Sequence, residues 1–367
     1  MGTFLLRRVG VMLLTALCLT FIVFFMTTLY PNLEKLAKTE GNFRMSDEAV
    51  ASWLDKNGYL EPIFVGYGQW LGVLPGHTHT DDEGNTTGAC IRPGTDPADA
   101  PTYCGVLQGD WGQSVTFKDD AGSLIVTRLG LTGWLALGAF AVMIPAALII
   151  GILAGMREGS RMDRSLSTFS IASSATPEYV SGVIFIAVFA AAASPLNVWL
   201  TEIGVLGKEG WIAGKTLLKG SATSAMKDIT WQNFTLPVAT IALYGVGYIA
   251  RMTRASMAEV MTAQYIRTAR LKGVDFRSVV LKHALRNALI APFTVIMLQF
   301  PYLLTGVVIT ETLFNYKGFG WLLVQAASTN DIQLLLGCSV VAVFVVLVTQ
   351  LISDIGYVFL NPRIRMA

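Results

Sequence analysis

The sequence predicts an all-α polytopic membrane protein with six transmembrane helices and a partly folded extracytoplasmic segment between the first and second. Composition is the first reason. Of the 367 residues, 53% are hydrophobic and 14% charged, with a mean hydropathy of +0.54, whereas about a quarter of an ordinary soluble domain is charged. The second reason is a set of six stretches with at most one Asp, Glu, Lys or Arg: residues 9–29, 129–156, 165–200, 229–250, 287–310 and 332–353. Each is long enough to cross a hydrocarbon core of about 30 Å as a helix. The third is the placement of the basic residues, which fall in alternate gaps between these stretches: Arg7 and Arg8, then Arg157, Arg161 and Arg164, then the 251–286 cluster, then Arg363 and Arg365. That side is the cytoplasm by the positive-inside rule.

Residues 1–30 hold the N-terminus and first span. The apolar run exceeds the roughly 7–15 residues of a signal-peptide core and no small-residue cleavage site follows it, so it reads as an anchored helix. Residues 31–127 form the extracytoplasmic segment, rich in acids (Asp81, Asp82, Glu83, Asp96, Asp99, Asp119, Asp120). Within it "MSDEAVASWLDKNGY" predicts a short helix, with Ser46 as N-cap, Asp47 and Glu48 in the first turn, Val50, Trp53 and Leu54 on one face, and Asn57-Gly58 as the stop. Residues 128–360 are a five-helix membrane core containing the cytoplasmic loop 251–286, and residues 361–367 are a cytoplasmic tail. Both termini lie inside on this reading, in a bacterial inner membrane.

Cys18 and Cys338 lie in apolar spans and read as small packing residues. Cys90 and Cys104 bracket the polar, Pro/Gly-rich "CIRPGTDPADAPTYC" on the oxidising face. A disulfide there closes a loop of about 15 residues and stabilises it by roughly 3 kcal/mol. The alternative is a metal site built with His77 and His79, but "HTHTDDEG" reads as a solvated loop and the cysteine spacing is not that of a zinc finger, so no metal is expected.

A pump needs an energy source. "GKEGWIAGKT" does not supply a phosphate loop, because Gly210 and Gly214 enclose three residues instead of four and Glu209 occupies the place of the first glycine. No other glycine-rich loop ends in Lys-Ser or Lys-Thr, so no ATP hydrolysis and no resident cofactor are expected on this chain, nor a nucleic-acid partner. Ion coupling leaves ionisable groups in the spans, where each costs at least about 2.5–3.5 kcal/mol. Three are present: Glu178 after Pro177 in the third span, Glu311 at the outer end of the fifth and Asp354 at the inner end of the sixth. The two end residues can reach the interface. Glu178 alone is deep, read either as a paired or protonated interior carboxyl or as lining a pathway.

The stretch "YIRTARLKGVDFRSVVLKHALRNAL" between the fourth and fifth spans carries six Arg and Lys residues and one acid, Asp275. Strong helix formers run to Gly273, a good C′ residue, and Asp275 is a plausible N-cap for a second helix. The prediction is a helix-turn-helix elbow on the cytoplasmic face, with attraction to anionic lipid as the plain reading of its charge.

"YIRTARLKGV" followed by "KHALRNAL" resembles the cytoplasmic signature loop of permease subunits of bacterial ABC importers, in the dipeptide/oligopeptide/nickel group. The general form of that loop is Glu-Ala-Ala, three residues, then Gly. Here Arg267-Thr268-Ala269 and Gly273 fill the slots, so Ala269 and Gly273 match the general form, and Arg-Thr-Ala is the variant typical of the peptide group. The resemblance spans nearly the whole chain: "GYLEPIFVGYGQWLG" and "GDWGQS", "REGSRMDR", "ATPEYVSG", "LPVATIALYGVGYIARMTRASM", "ITETLFNYKGFGWLL" and the tail "NPRIR", which more often begins with Asp than with Asn361. Residues 73–108, with both outer cysteines, resemble an insertion.

The resemblance implies the ABC type I importer permease fold, with Arg267, Thr268, Ala269, Gly273, Val274 and Asp275 in a coupling helix that docks on a separate ATPase, and Pro177, Glu178 and Glu311 as pathway candidates. It also implies the partners: two ABC ATPase subunits carrying ATP and Mg, a homologous second permease, an extracytoplasmic substrate-binding protein, and membrane lipid. The expected cargo is peptide, with nickel, opine or sugar conjugates as rivals inside the group. From other classes the rivals are an ion-coupled secondary carrier, disfavoured by the scarcity of buried charge, and a membrane-anchored sensor, disfavoured by the elbow.

Overall fold

A computed structural model describes residues 2–81, 86–91, 96–208 and 210–360. Asp82, Glu83, Glu209 and the 361–367 tail with Arg363 and Arg365 lie outside the described residues. The chain divides into two compact units, Met1–Leu129 with Leu322–Phe344, and Gly130–Trp321 with the chain from Val345 onward.

In the first unit α1 (Gly2–Thr27) is followed by three short helices, α2 (Tyr30–Glu40), α3 (Asp47–Lys56) and α4 (Ile63–Leu71). Pro31 in the first turn of α2 needs no intrahelical donor there. Ser46 caps α3, accepting from the Ala49 amide at 3.3 Å, and Val50 and Leu54 are buried on one face. These pack with Phe24, Leu33, Leu36, Tyr67, Ile332 and Leu336 into one core. Tyr67 sits among Phe21, Phe24 and Trp70, and its hydroxyl pairs with that of Thr20 at 2.7 Å, so the ring is buried with its polar end satisfied. Asp331, wholly buried, accepts from the Ser114 hydroxyl (2.6 Å) and the Thr116 amide (3.1 Å), stapling that loop to the start of α15 (Ile332–Leu360).

Within the stretch expected as a solvated loop, β1 (Thr78–Thr80) pairs antiparallel with β2 (Thr86–Gly88), Thr78 opposite Gly88. Threonines suit an exposed two-stranded ribbon. Cys90 and Cys104 are disulfide-bonded beside it.

The second unit is built on α9 (Trp231–Met261), 67% of whose apolar window is buried against 11% for Glu178–Glu202. Its partners are α6 (Arg161–Ala175), α7 (Glu178–Phe185) and α13 (Ile290–Leu313), and α5 (Ala121–Gly155), whose Gly151 and Gly155 lie against Thr253 and Arg254. Helix association in a membrane is driven by close packing, and Gly247 shows how close. A Cβ there would sit 2.4 Å from the Ser170 carbonyl and 2.2 Å from the Ser173 hydroxyl of α6.

Among the described residues five helices are long and apolar enough to cross a membrane: Leu6–Thr27, Ala121–Gly155, Glu178–Glu202, Trp231–Met261 and Ile332–Gly356. The pair Phe276–Ala288 and Ile290–Tyr302, bent by 50°, makes a sixth when taken as one span. The single third span expected over 165–200 is in fact broken. Thr176 is extended before Pro177, the conformation proline imposes on its predecessor. Beyond α7 the chain runs as π-helix over Ile186–Ala190 and restarts at α8 (Pro195–Glu202), capped by Ser194.

Candidate functional site

The elbow begins where α9 ends at Met261. There Ala263 is extended and α10 (Gln264–Leu271) starts afresh; nothing in the residue types accounts for the break. In α10, Ile266 and Ala269 face inward, and Arg267, Thr268, Arg270, Leu271 and Lys272 before the turn are exposed. Gly273 then turns the chain with φ 75°, its amide donating to the Arg270 carbonyl at 3.0 Å. Asp275 caps the next segment by accepting from the Arg277 amide at 3.0 Å. That segment has three parts, α11 (Phe276–Ser278), a π-helical stretch Val279–Ala284 and α12 (Leu285–Ala288).

The inner face of the elbow is apolar and closed: Met257, Ile266, Ala269, Val279, Val280, Ala284 and Ala288 form one buried cluster with Val274 and Phe276 against it. Arg157 and Arg270 lie over the Phe276 ring at 5.2 and 5.9 Å, within cation–π range. The Tyr265 hydroxyl accepts from the Asn287 side chain at 2.8 Å, tying the two limbs together. Arg267, Thr268, Gly273 and Asp275 are exposed, as are the apolar side chains of Leu271 (81%) and Leu281 (62%).

The site also contains a pair that sequence reasoning did not single out. Arg254, on the last turns of α9, grips Asp163 of α6 with two hydrogen bonds, Nε to Oδ1 at 2.6 Å and Nη2 to Oδ2 at 2.8 Å. Asp163 is 2% exposed and also accepts from the Gly159 amide and the Ser167 hydroxyl. The guanidinium hydrogen bonds hold its carboxyl well below the usual carboxylate range, against the opposing effect of burial. Such a forked pair fixes orientation as well as distance, so α9 is anchored about two turns before it enters the elbow. The sequence signal was Asp163 three residues after the Ser160 cap, a first-turn acid; its partner lay 91 residues away.

Pro177 stands at the N-cap of α7 and Glu178 opens that helix, buried, with Thr310 and Tyr302 of α13 donating to its carboxylate. Glu311, expected to reach an interface, is instead 0% exposed. It accepts from the Thr132 hydroxyl of α5 and from the Gly320 and Trp321 amides. Those amides are unsatisfied donors at the start of α14 (Phe319–Ser328), where an anion is favoured. Glu311 therefore ties α5, α13 and the α14 start together, and its oxygens are already committed. Around "GKEGWIAGKT" the chain forms the two-residue strands β3 (Leu206–Gly207) and β4 (Ile212–Ala213) instead of a strand, loop and helix. Among the described residues no group of three or more His, Cys, Asp or Glu is placed to hold a metal ion.

Residues 147–366 match the family described as binding-protein-dependent transport system inner membrane component. The chain belongs to this family. As a family member it is the permease subunit of an ABC importer and has the type I permease fold. It is 30% identical to the di/tripeptide transport system permease protein DppB of Pseudomonas aeruginosa, over 100% of this chain and 99% of that one. Against the dipeptide transport system permease protein DppB of Haemophilus influenzae the identity is 32%, over 71% and 78% of the two chains. With the glutathione transport system permease protein GsiC of Escherichia coli it is 30%, over 71% and 76%. A crystal structure of an amino acid ABC transporter with histidines aligns at TM-score 0.45 and 13% identity, covering 64% of this chain and 93% of that one. The described part of the family match, residues 147–360, contains the whole elbow and both members of the Asp163–Arg254 pair.

Proposed function

We propose that this permease moves short peptides inward and that its elbow receives the force of a separate ATPase. The carrying observation is the two-sidedness of the elbow. Its inner face is sealed against α9 and α12, while its outer face presents Leu271 and Leu281 beside Arg267, Arg270 and Lys272. Exposed apolar side chains rimmed by charge mark a protein-binding surface. A lever needs a stiff connection, and Arg254–Asp163 with the Tyr265–Asn287 bond provides one.

The full assembly on this reading has two ATPases that hold ATP and Mg, a second permease related to this chain, and a binding protein delivering cargo on the opposite face. Peptide cargo is supported by the names of the relatives that align with this chain at about a third identity; nickel, opine or sugar conjugates are the alternative within the group. The alternating basic clusters of the sequence support termini and elbow on the cytoplasmic side of a bacterial inner membrane, by the positive-inside rule. On this reading ATP and Mg belong to the partner subunits and the permease needs no cofactor of its own.

Cysteine at position 271 tests the docking. In the otherwise native complex, Leu271→Cys is expected to cross-link to the ATPase subunit with a short bifunctional thiol reagent, and nucleotide is expected to change the yield. A complex that imports peptide normally and yields no such cross-link contradicts the assignment. Uptake of labelled di- and tripeptides tests the cargo separately.

A further inference from the structure

Where α9 approaches the elbow, it and the start of α6 border a cavity of about 250 Å³ lined by Asp163, Arg164, Ser167, Ile171, Arg251 and Arg254. Its charges do not balance. The Asp163 carboxylate is committed to Arg254, the Gly159 amide and the Ser167 hydroxyl, and Arg254 also lies 3.7 Å from Glu158. That leaves Arg164 and Arg251, both exposed and, among the described residues, without a carboxylate partner. Arg251 reaches the Ser174 hydroxyl, Nη1 to Oγ at 3.4 Å.

The face that leads to this cavity is polar as well. On α9, Tyr244, Tyr248 and Arg251 recur at i, i+4 and i+7 and so share one side of the helix. Tyr248 and Arg251 are exposed there, although 67% of the apolar window of α9 is buried. Tyr244 stacks on Tyr302 of α13 with ring centroids 5.3 Å apart, and Tyr302 donates to Glu178. Across the cavity α6 carries Ser or Thr at six of its 15 positions, and Ser167 and Ser174 stand half-buried on the cavity side. A row of guanidinium, phenol and hydroxyl groups is costly against hydrocarbon; within membranes such groups face a protein interior or a water-filled passage.

We propose that this face of α9 and α6 is the chain's wall of the translocation pathway, and that Arg251, with Arg164, receives the terminal carboxylate of a peptide near the elbow end of its passage. The inference rests on the peptide reading above. A guanidinium fork matches a carboxylate in shape and in charge, and the tyrosines offer amphipathic surface to varied side chains. An anionic lipid headgroup would also suit the arginines. Its acyl chains, however, would have to lie along the Tyr and Ser row, and Ile171 is the one apolar member of the cavity lining. The face therefore favours the peptide.

The test uses the complete permease–ATPase complex in lipid nanodiscs, nucleotide-free and with a non-hydrolysable ATP analogue, carrying Tyr248→Cys or, as a milder reporter, Ser174→Cys. Two methanethiosulfonate reagents, one bearing a sulfonate and one a trimethylammonium, are scored by mass spectrometry of the labelled position. Both reporters are expected to react in at least one state. Adding Arg251→Gln is expected to lower the sulfonate-to-trimethylammonium rate ratio about fivefold at low salt, the effect of one charge about 8 Å away in water. Excess Ala-Phe is expected to slow the labelling, and its C-terminal amide to do so at least about fivefold less effectively.

No reaction at either position in both states assigns the face to lipid or to a protein interface and overturns the proposal. A rate ratio indifferent to Arg251→Gln, or equal protection by the dipeptide and its amide, overturns it too. Protection that follows the phosphatidylglycerol content of the nanodisc and not Ala-Phe identifies a lipid headgroup, with the same consequence. Peptide uptake by the wild-type importer is measured apart from this labelling, so each of these results leaves the permease assignment standing, whereas absent uptake strikes the cargo reading itself.

Discussion

Substitutions at Gly273 separate backbone conformation from side-chain fit. The residue holds φ 75°, and a Cβ built on it meets no atom within 4 Å. Any cost of a side chain within this chain is therefore the cost of a left-handed backbone, about 1–2 kcal/mol for an ordinary L-residue and more for a β-branched one. Asparagine tolerates that region, and Asn315 and Asn330 of this same chain occupy it at φ 50° and 57°. Proline cannot reach it and also loses the amide that donates to Arg270. The expected order of transport is Gly ≈ Asn > Ala > Val > Pro. One or two kcal/mol shifts the elbow's equilibrium by about 5- to 30-fold, so Gly273→Ala should lose transport to that extent and Gly273→Val by more, at unchanged membrane content. Uptake of labelled dipeptide into proteoliposomes, normalised to inserted protein, reads it. Normal uptake by Gly273→Val refutes the lever. An asparagine variant as poor as valine moves the fault from the backbone turn to the docking groove of the partner.

Arg254→Met strands the buried Asp163 carboxylate; breaking a buried pair costs about 3–5 kcal/mol, and the 30% exposure of the Arg254 side chain places the loss near about 2–3 kcal/mol, seen as a lowered thermal midpoint of the purified protein. Because the Asp163 pKa is depressed on folding, its contribution is present above the unfolded value and is lost as pH falls below about 4, so the variant should show a smaller acid-side loss than wild type. Glu311→Ala leaves the Gly320 and Trp321 amides without their acceptor, at about 1–3 kcal/mol each; Glu311→Gln, which keeps one acceptor oxygen, should be milder in the same melting assay. Cys90 and Cys104 should resist a membrane-impermeant thiol reagent until reductant is added, as read by mass spectrometry of the labelled peptides.

The legible parts of this fold were local. Apolar runs gave the spans, Ser46 and Asp275 announced their caps by residue type and place, and Gly273 was marked by the helix formers before it. The Cys90–Cys104 pair stood out because so little else could order its loop. What escaped was long-range or a matter of degree. Asp163 and Arg254 each look like a juxtamembrane charge until folding brings them together. Glu311 looked like an interfacial acid because its acceptors' work is done for amides whose helix start lies beyond a turn. The first break in the third span follows from Pro177 only once the extended Thr176 is seen, and the break at Ala263 has no counterpart in residue type.

The central claim is that this chain transmits work and generates none. Uptake into proteoliposomes holding the complete importer measures it directly, with ATP clamped inside and an uncoupler present, and again with a proton gradient and no ATP, in wild type and in Glu178→Gln. The account predicts uptake with ATP alone, none with the gradient alone, and a Glu178→Gln rate within about a factor of ten of wild type, a barrier change below about 1.4 kcal/mol. Uptake that requires the gradient at constant ATP, and that vanishes in Glu178→Gln, would contradict it.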